Sequence, residues 1–240
     1  MFLPSGPDAN FPILNESERF LFPDPLEAGH DSIVAWGGNL SAGMLLSAYE
    51  QGLFPWYAEG EPVIWHSPDP RFVLFPENLH ISASMKKLLK RGEFHITFNR
   101  DFRGVICGCS EAHRPGQDGT WITGDMIAAY TELHRLGWAH SAEAYLDGVL
   151  AGGCYGILIN NVFFGESMFS KKPNSSKAAF LTLAHNFFEM GIRFIDSQAY
   201  TPHMESLGAT KISRRNFIAL LREALGNTPS TYLAEKPHIP

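Results

Sequence analysis

Two acidic residues stand in surroundings that are otherwise apolar. Glu166 interrupts the run Val162-Phe163-Phe164-Gly165-Glu166-Ser167-Met168-Phe169, and Asp196 ends Phe194-Ile195 just before Ser197 and Gln198. An ionised carboxylate inside an apolar element is costly unless a partner meets it. Each acid is therefore either half of a structural ion pair or a group held ready for a cationic ligand. The flanking segments offer Glu166 no obvious basic mate. Asp196 and Gln198 lie two apart on what reads as extended chain, which puts both side chains on one face. A carboxylate beside an amide can bond to it and fix its orientation. The ordinary reading of that pair, a cap at the end of a strand, weighs equally.

Two further clusters carry chemistry. Tyr49, Phe54, Trp56 and Trp65 gather in or near a proline-rich stretch, with Trp121 further on. Most aromatics are core, but in such a loop they also suit stacking on an exposed base. Lys86, Lys87, Lys90 and Arg91 surround one expected helix with no acid inside it at i±3 or i±4. A charge run is usually a solvated face; unpaired positive charge is also what phosphate contact uses. The ten histidines show neither HxxxH nor HxH spacing, and Cys107-x-Cys109 lacks a second ligand pair, so no metal site is expected. Three cysteines cannot make a disulfide framework.

These groups need a scaffold, and the composition supplies one. With 45% hydrophobic and 18% charged residues over 240 positions, the chain is neither disordered nor fibrous. It suffices for one large domain or two small ones. No apolar run reaches a membrane span, and the N-terminus has no basic region of a signal peptide, so a cytoplasmic protein without membrane contact is expected. The net charge of −6 is unevenly spread. Residues 1–70 hold one basic side chain, Arg19, against ten acidic ones, a balance of −9, whereas 71–240 sum to +3. Such asymmetry points to a polyanionic partner or to two separate units.

The first 30 residues, with Pro4, Pro7, Pro12, Pro23 and Pro25, read as an extended wrap. Ser41 reads as the N-cap of a helix running to Tyr49 and closed by Gly52. The segment 54–70 reads as a loop, and Pro68 and Pro70 suggest a boundary. Beyond it come a short strand at 71–75, the basic helix capped by Ser82 or Ser84, and a strand at 94–99. A helix opened by Thr123 or Asp125 ends at Gly137. Three strand-like runs follow, 139–146, 149–159 and 162–170, joined by Asp147-Gly148 and Asn160-Asn161, turn pairs that accept positive φ. A helix from Asn174 or Ser175 to Met190, a buried strand at 192–196 and a helix at 213–224 complete an α+β order.

A meander followed by a helix resembles the acetyltransferase (GNAT) superfamily, where a glycine-rich turn cradles the pyrophosphate of coenzyme A. The corresponding turn here, Ser170-Lys171-Lys172-Pro173-Asn174-Ser175-Ser176-Lys177-Ala178, has no glycine. It is wrong for coenzyme A, although its lysines could meet other phosphates.

Seven ordered blocks carry a more specific resemblance. Trp36-Gly37-Gly38-Asn39-Leu40, Gly52-Leu53-Phe54-Pro55-Trp56, Trp65-His66-Ser67-Pro68-Asp69-Pro70-Arg71, His80-Ile81-Ser82, Gly119-Thr120-Trp121-Ile122-Thr123, Phe164-Gly165-Glu166-Ser167-Met168-Phe169-Ser170 and Ile195-Asp196-Ser197-Gln198 are similar to the bacterial leucyl/phenylalanyl-tRNA–protein transferases. They span about residues 34–217. The resemblance implies a small N-terminal α/β domain over 1–68 and a GNAT-like catalytic domain over 69–240, with aminoacyl-tRNA replacing acetyl-coenzyme A and no cofactor or metal. It implies transfer of Leu or Phe from Leu-tRNA or Phe-tRNA to proteins that begin with Arg or Lys, which marks them for N-degron degradation, and a monomer as the working unit.

By the same resemblance, Asp196 holds Gln198 toward the acceptor amine and Glu166 supplies a negative site beside it. Trp56 and Trp121 match positions around the terminal adenosine, Tyr49, Phe54 and Tyr130 lie in matching segments, and Lys86, Lys87, Lys90 and Arg91 would grip the acceptor stem. Cys154, Phe163, Phe180, Leu183 and Ile195 would form the amino-acid pocket; the family often has Met where this chain has Cys154, a change that bears on the balance of Leu and Phe. Gln198 and the terminal ribose hydroxyl both remain open as the group that handles the proton. The competing functions are an N-acetyltransferase, which the missing glycine turn disfavours, and a non-catalytic RNA-binding module, which leaves the two acids without a role.

Overall fold

Positive φ at Asp147, Gly148 and Asn160 closes two hairpins in the computed structural model, which describes residues 6–112, 120–226 and 239–240. The hairpins join β6 (Ala139–Leu146), β7 (Val149–Ile159) and β8 (Val162–Ser170) into an antiparallel meander with the boundaries read from the sequence. The meander sits within a seven-stranded sheet. β5 (His95–Phe98) pairs with β6 at one edge. On the other side β8 lies parallel to β9 (Phe194–Asp196), followed by β4 (Arg71–Leu74) and β10 (Thr210–Ile212), both antiparallel. A second, antiparallel sheet has the order β1 (Ile33–Trp36), β3 (Ile64–His66), β2 (Phe54–Pro55).

Side chains alternate across a strand, and here the alternation feeds two cores. Tyr155, Ile157 and Phe164 point into one, while Cys154, Leu158 and Phe163 point into the other. The first is covered by α1 (Ala42–Glu50), α3 (Phe102–Glu111), α4 (Gly124–Arg135) and α7 (Arg214–Leu225). The second is covered by α2 (Ala83–Arg91) and α5 (Ser175–Glu189), with Met204 and Leu207 from and beside the short α6 (Pro202–Ser206). The first core runs without a break from Phe22, Met44 and Tyr49 to Phe217 and Leu221, so residues from both ends of the chain share it.

Capping explains most helix starts. Thr123 Oγ1 accepts from Met126 N at 3.2 Å, and Ser82 Oγ from Met85 N at 3.3 Å. Ser41 precedes α1 as expected, but its hydroxyl accepts instead from Leu14 N (3.1 Å), fastening the proline-rich wrap. Ser47 and Gln51 do the same for Phe20 N and Phe22 N. Extended chain without a sheet partner thus finds acceptors on α1.

The sequence reading misses α3, whose Gly104 and Gly108 weaken the helical signal. It also misses β1 and β10, and reads β2 and β3 as loop, because strands of two to four residues carry no readable period. Pro4, within the expected wrap, and the segment 227–238 lie outside the described residues.

Candidate active site

Two features of the sheet create the site. β8 and β9 pair only through Phe164 opposite Asp196; beyond that the two strands are no longer paired. On its other side β8 slips register against β7, with Gly165 opposite Gly156 and Ser167 opposite Tyr155, which leaves Glu166 as an extra residue between them. A bulge of this kind re-aims a side chain. Gly156 permits it, since a Cβ there would overlap Phe164 O and the Phe163 ring.

The gap holds an apolar pocket of about 310 Å³ lined by Cys154, Phe163, Met168, Phe180, Ile195 and Met204, with Glu166, Ser167, Ser197, Gln198, Thr201 and His203 on its polar side. Beside it lies a cleft of about 250 Å³ walled by Phe54, Pro55, Trp56, Trp121 and Ala199. Glu166, Ser167, Ser197, Gln198 and Thr201 line both. The carboxylate and the amide therefore stand where the two spaces meet.

Glu166 is met by donors and not by a cation. Tyr49 Oη donates to Oε1 at 2.8 Å, Tyr130 Oη to Oε2 at 3.2 Å, and Gln198 Nε2 to Oε1 at 3.2 Å. The two hydroxyls also touch each other. Three oxygen–oxygen contacts thus share two hydroxyl hydrogens, and a proton on the carboxyl group completes the set. Burial pushes Glu166 up to about 7; the tyrosine hydroxyls pull against that shift, Asp196 adds to it, and the Arg71 charge opposes it. Both tyrosines are pushed well above their ordinary values, by burial first and then by the Glu166 charge, so they remain neutral donors.

Asp196 has a different environment. Arg71 Nε and Nη2 bind its two oxygens at 2.9 and 2.6 Å, and neither side chain is exposed. The guanidinium lies over the rings of Phe54 (5.0 Å) and Phe217 (4.3 Å), and its Nη1 donates to Gly52 O at 3.2 Å. Asp196 Oδ1 also accepts from the backbone N–H of Gln198 at 3.0 Å.

This corrects the expected Asp196–Gln198 pair. Gln198 has φ +56°, so the segment is not extended and the two side chains do not share a face. Asp196 holds the main chain of Gln198, and Glu166 holds its amide. The signal in the sequence was Arg71 itself, but its partner is 125 positions away and only the β4–β9 register brings them together.

The remaining expected residues divide. Trp56, 44% exposed, and the half-buried Trp121 flank the cleft with Phe54. Tyr49 and Tyr130 are fully buried and do not line the cleft; their hydroxyls lie against Glu166. Cys154, Phe163, Phe180 and Ile195 line the pocket, but Leu183 faces the core from α5 and does not. Burial pushes the Cys154 thiol far up, so it serves as a small apolar wall. Lys86, Lys87, Lys90 and Arg91 are exposed on α2, and none lines the pocket or the cleft. Trp65 is core. Met168, Thr201, His203 and Met204 went unnoticed, the last three because α6 is too short to show a period. Gly119 lies outside the described residues. Among the described residues no group of three or more His, Cys, Asp or Glu could hold a metal ion, and no helix is long and apolar enough to cross a membrane.

An apolar pocket and an aromatic-walled cleft thus meet at one acid and one amide on a mixed α+β scaffold, an arrangement of the kind that group-transfer enzymes use. Comparison with known proteins narrows the class. The family model described as leucyl/phenylalanyl-tRNA protein transferase matches residues 73–222, and the model of that family's N-terminal domain matches 38–69. Relatives named leucyl/phenylalanyl-tRNA–protein transferase include those of Myxococcus xanthus, 47% identical over 89% of this chain and 91% of the relative, and Syntrophobacter fumaroxidans, 47% identical over 88% and 91%. That of Anaeromyxobacter sp. is 49% identical over 85% of this chain and 87% of its own. The chain belongs to the leucyl/phenylalanyl-tRNA protein transferase family.

Proposed function

We propose that this chain transfers a leucyl or phenylalanyl group from aminoacyl-tRNA to the α-amino group of a protein that begins with Arg or Lys. The observation that carries this reading is the meeting of pocket and cleft at Glu166 and Gln198. The apolar pocket suits a Leu or Phe side chain, the tryptophan-flanked cleft suits the terminal adenine, and the ester between them falls beside the acid and the amide.

An aminoacyl ester is already activated, so the enzyme must mainly supply a neutral amine and hold it in line. An α-amino group titrates at about 7.7–8.0, close to the value of about 7 to which burial lifts Glu166. Proton transfer between groups so matched is nearly isoenergetic. In this reading Glu166 takes the ammonium proton. The amine attacks the carbonyl carbon, the C–N bond forms and the C–O bond to the ribose breaks. The second amine proton leaves with the ribose oxygen. Gln198 orients the acceptor, and Asp196 acts through Arg71 and the Gln198 backbone as a positioning residue. The exposed cations of α2 suit the acceptor stem.

The meander followed by α5 supports a GNAT-like layout in which aminoacyl-tRNA replaces acetyl-coenzyme A. The 68/69 division falls between β3 and β4, where the chain passes from one sheet to the other. Charged tRNA as donor suits a cytoplasmic enzyme, which in this reading works as a monomer without a cofactor and marks proteins for N-degron degradation.

Labelled Leu-tRNA or Phe-tRNA, incubated with the protein and an Arg-initiated peptide, is expected to label the peptide; no transfer from either tRNA would sink the reading. Cys154→Met fills part of the pocket and is expected to lower the Phe-to-Leu transfer ratio about tenfold, a change of one or two methylene equivalents in an apolar pocket. An unchanged ratio in a competition assay would place the amino acid elsewhere.

A further inference from the structure

The turn between β8 and α5 is the motif that the site leaves unused. Lys171, Lys172 and Lys177 line a concavity of about 460 Å³ together with Ser170, Ser176 and His203. His203 lines the apolar pocket as well, so the two spaces share a wall. No acidic residue lines the concavity, and among the described residues no salt bridge involves its lysines. The turn is braced. Ser175 Oγ donates to Ala151 O at 2.8 Å, and Ser170 Oγ accepts from Ser176 N at 3.1 Å. His203 Nε2 is closed to solvent and has no hydrogen-bond partner. The N-terminus of α5, with no acid in its first turn, adds partial positive charge.

We propose that the Lys171–Lys172–Lys177 basin, which adjoins the aminoacyl pocket at His203, binds backbone phosphates of the single-stranded 3′ end of the aminoacyl-tRNA. This rests on the functional reading above. Three cations without an acidic partner, one of them Lys171 over the Phe169 ring at 5.7 Å, in a preformed concavity are suited to successive phosphates. The other macromolecule at this site, an acceptor protein with a cationic N-terminal residue, is repelled by the same charge. The basin adjoins the reacting region through one residue, whereas the α2 cations line neither the pocket nor the cleft.

The test compares a whole donor with its last nucleoside. Binding of amide-linked Phe-tRNA and of amide-linked phenylalanyl-adenosine is measured for the native chain, for Lys171→Gln/Lys172→Gln and for the triple variant that adds Lys177→Gln. The first two lysines are exposed, so the double variant is expected to fold normally. Each single-strand phosphate contact contributes about 0.7 to the slope of log K against log salt, so the triple variant should flatten the Phe-tRNA slope by about 2. Affinity for phenylalanyl-adenosine should not change. An unaltered Phe-tRNA slope overturns the proposal, as does a rise confined to the KM of an Arg-initiated peptide with acidic second and third residues. If the native chain binds neither donor, the functional reading fails with it; if it binds both and the variants bind alike, only the phosphate basin fails.

Discussion

Glu166 and Asp196 sit next to each other on adjacent strands and both lie within apolar surroundings, yet the fold treats them in opposite ways. Asp196 meets a guanidinium that two aromatic rings enclose, and it lines neither the pocket nor the cleft. Glu166 meets three neutral donors and opens onto two pockets. A buried acid matched at both oxygens by a guanidinium fixes geometry. One matched by hydroxyls and an amide keeps a proton within reach of neutral pH. Partner chemistry, more than depth, separates the structural carboxylate from the reactive one.

The same chemical change at the two positions should therefore have opposite effects on stability. Asp196→Asn leaves Arg71 buried with an uncompensated charge, and breaking a buried pair in this way costs about 3–5 kcal/mol. Denaturant unfolding should show a loss of that size, with transfer falling because an amide NH₂ then stands where an oxygen accepts from Arg71, which disturbs the segment that carries Gln198. A variant as stable as the parent would mean that Arg71 finds another partner, and the contrast between the acids would collapse.

Glu166→Gln removes a charge that burial opposes, so stability at pH 8 should hold or rise while transfer falls by about 10²–10⁴-fold, the usual worth of a positioned acid–base group. The parent carries a further signature. Its Glu166 titrates near 7, above the ordinary carboxylate value of 4.5. Between those values the folded chain holds a proton that the unfolded chain has released, so stability declines as pH rises through about 4.5 to 7. Transfer rate should instead rise through about 7, as Glu166 becomes a base. Chemical denaturation at several pH values checks the first trend and single-turnover transfer the second. In Glu166→Gln both Glu166 contributions should vanish.

How much of this contrast can be read from the chain alone follows from range. Asp147-Gly148 and Asn160-Asn161 declare the meander because a two-residue turn is local chemistry. Glu166 and Asp196 declare themselves because an acid in an apolar run breaks a local pattern. Their partners do not, because Tyr49 is 117 positions from Glu166 and Arg71 is 125 from Asp196. Nor does the local pattern show that Gln198 turns into a left-handed conformation, an arrangement held by Phe72 N–H and the Asp196 carboxylate. The aromatic residues show the limit most plainly. Tyr49, Phe54, Trp56 and Trp65 are near neighbours in sequence, yet one supports the acid, two wall the cleft and one is core.

The smallest effect concerns the hydroxyls. Tyr49→Phe keeps the ring against Phe164 and removes one donor to Glu166. Loss of one such bond costs about 0.5–1.5 kcal/mol of stability, well below the Asp196→Asn effect. Its sharper consequence is electrostatic. The Tyr49 hydroxyl is the strongest influence holding Glu166 down against burial. Without it the carboxyl should titrate higher, and the acid limb of the transfer profile should move to higher pH while the alkaline plateau stays near the parent rate. A packing role alone would lower the whole profile without displacing it. A limb that stays in place would show that the Tyr49 hydroxyl only fills space and that burial, opposed by Tyr130, sets the proton affinity of Glu166.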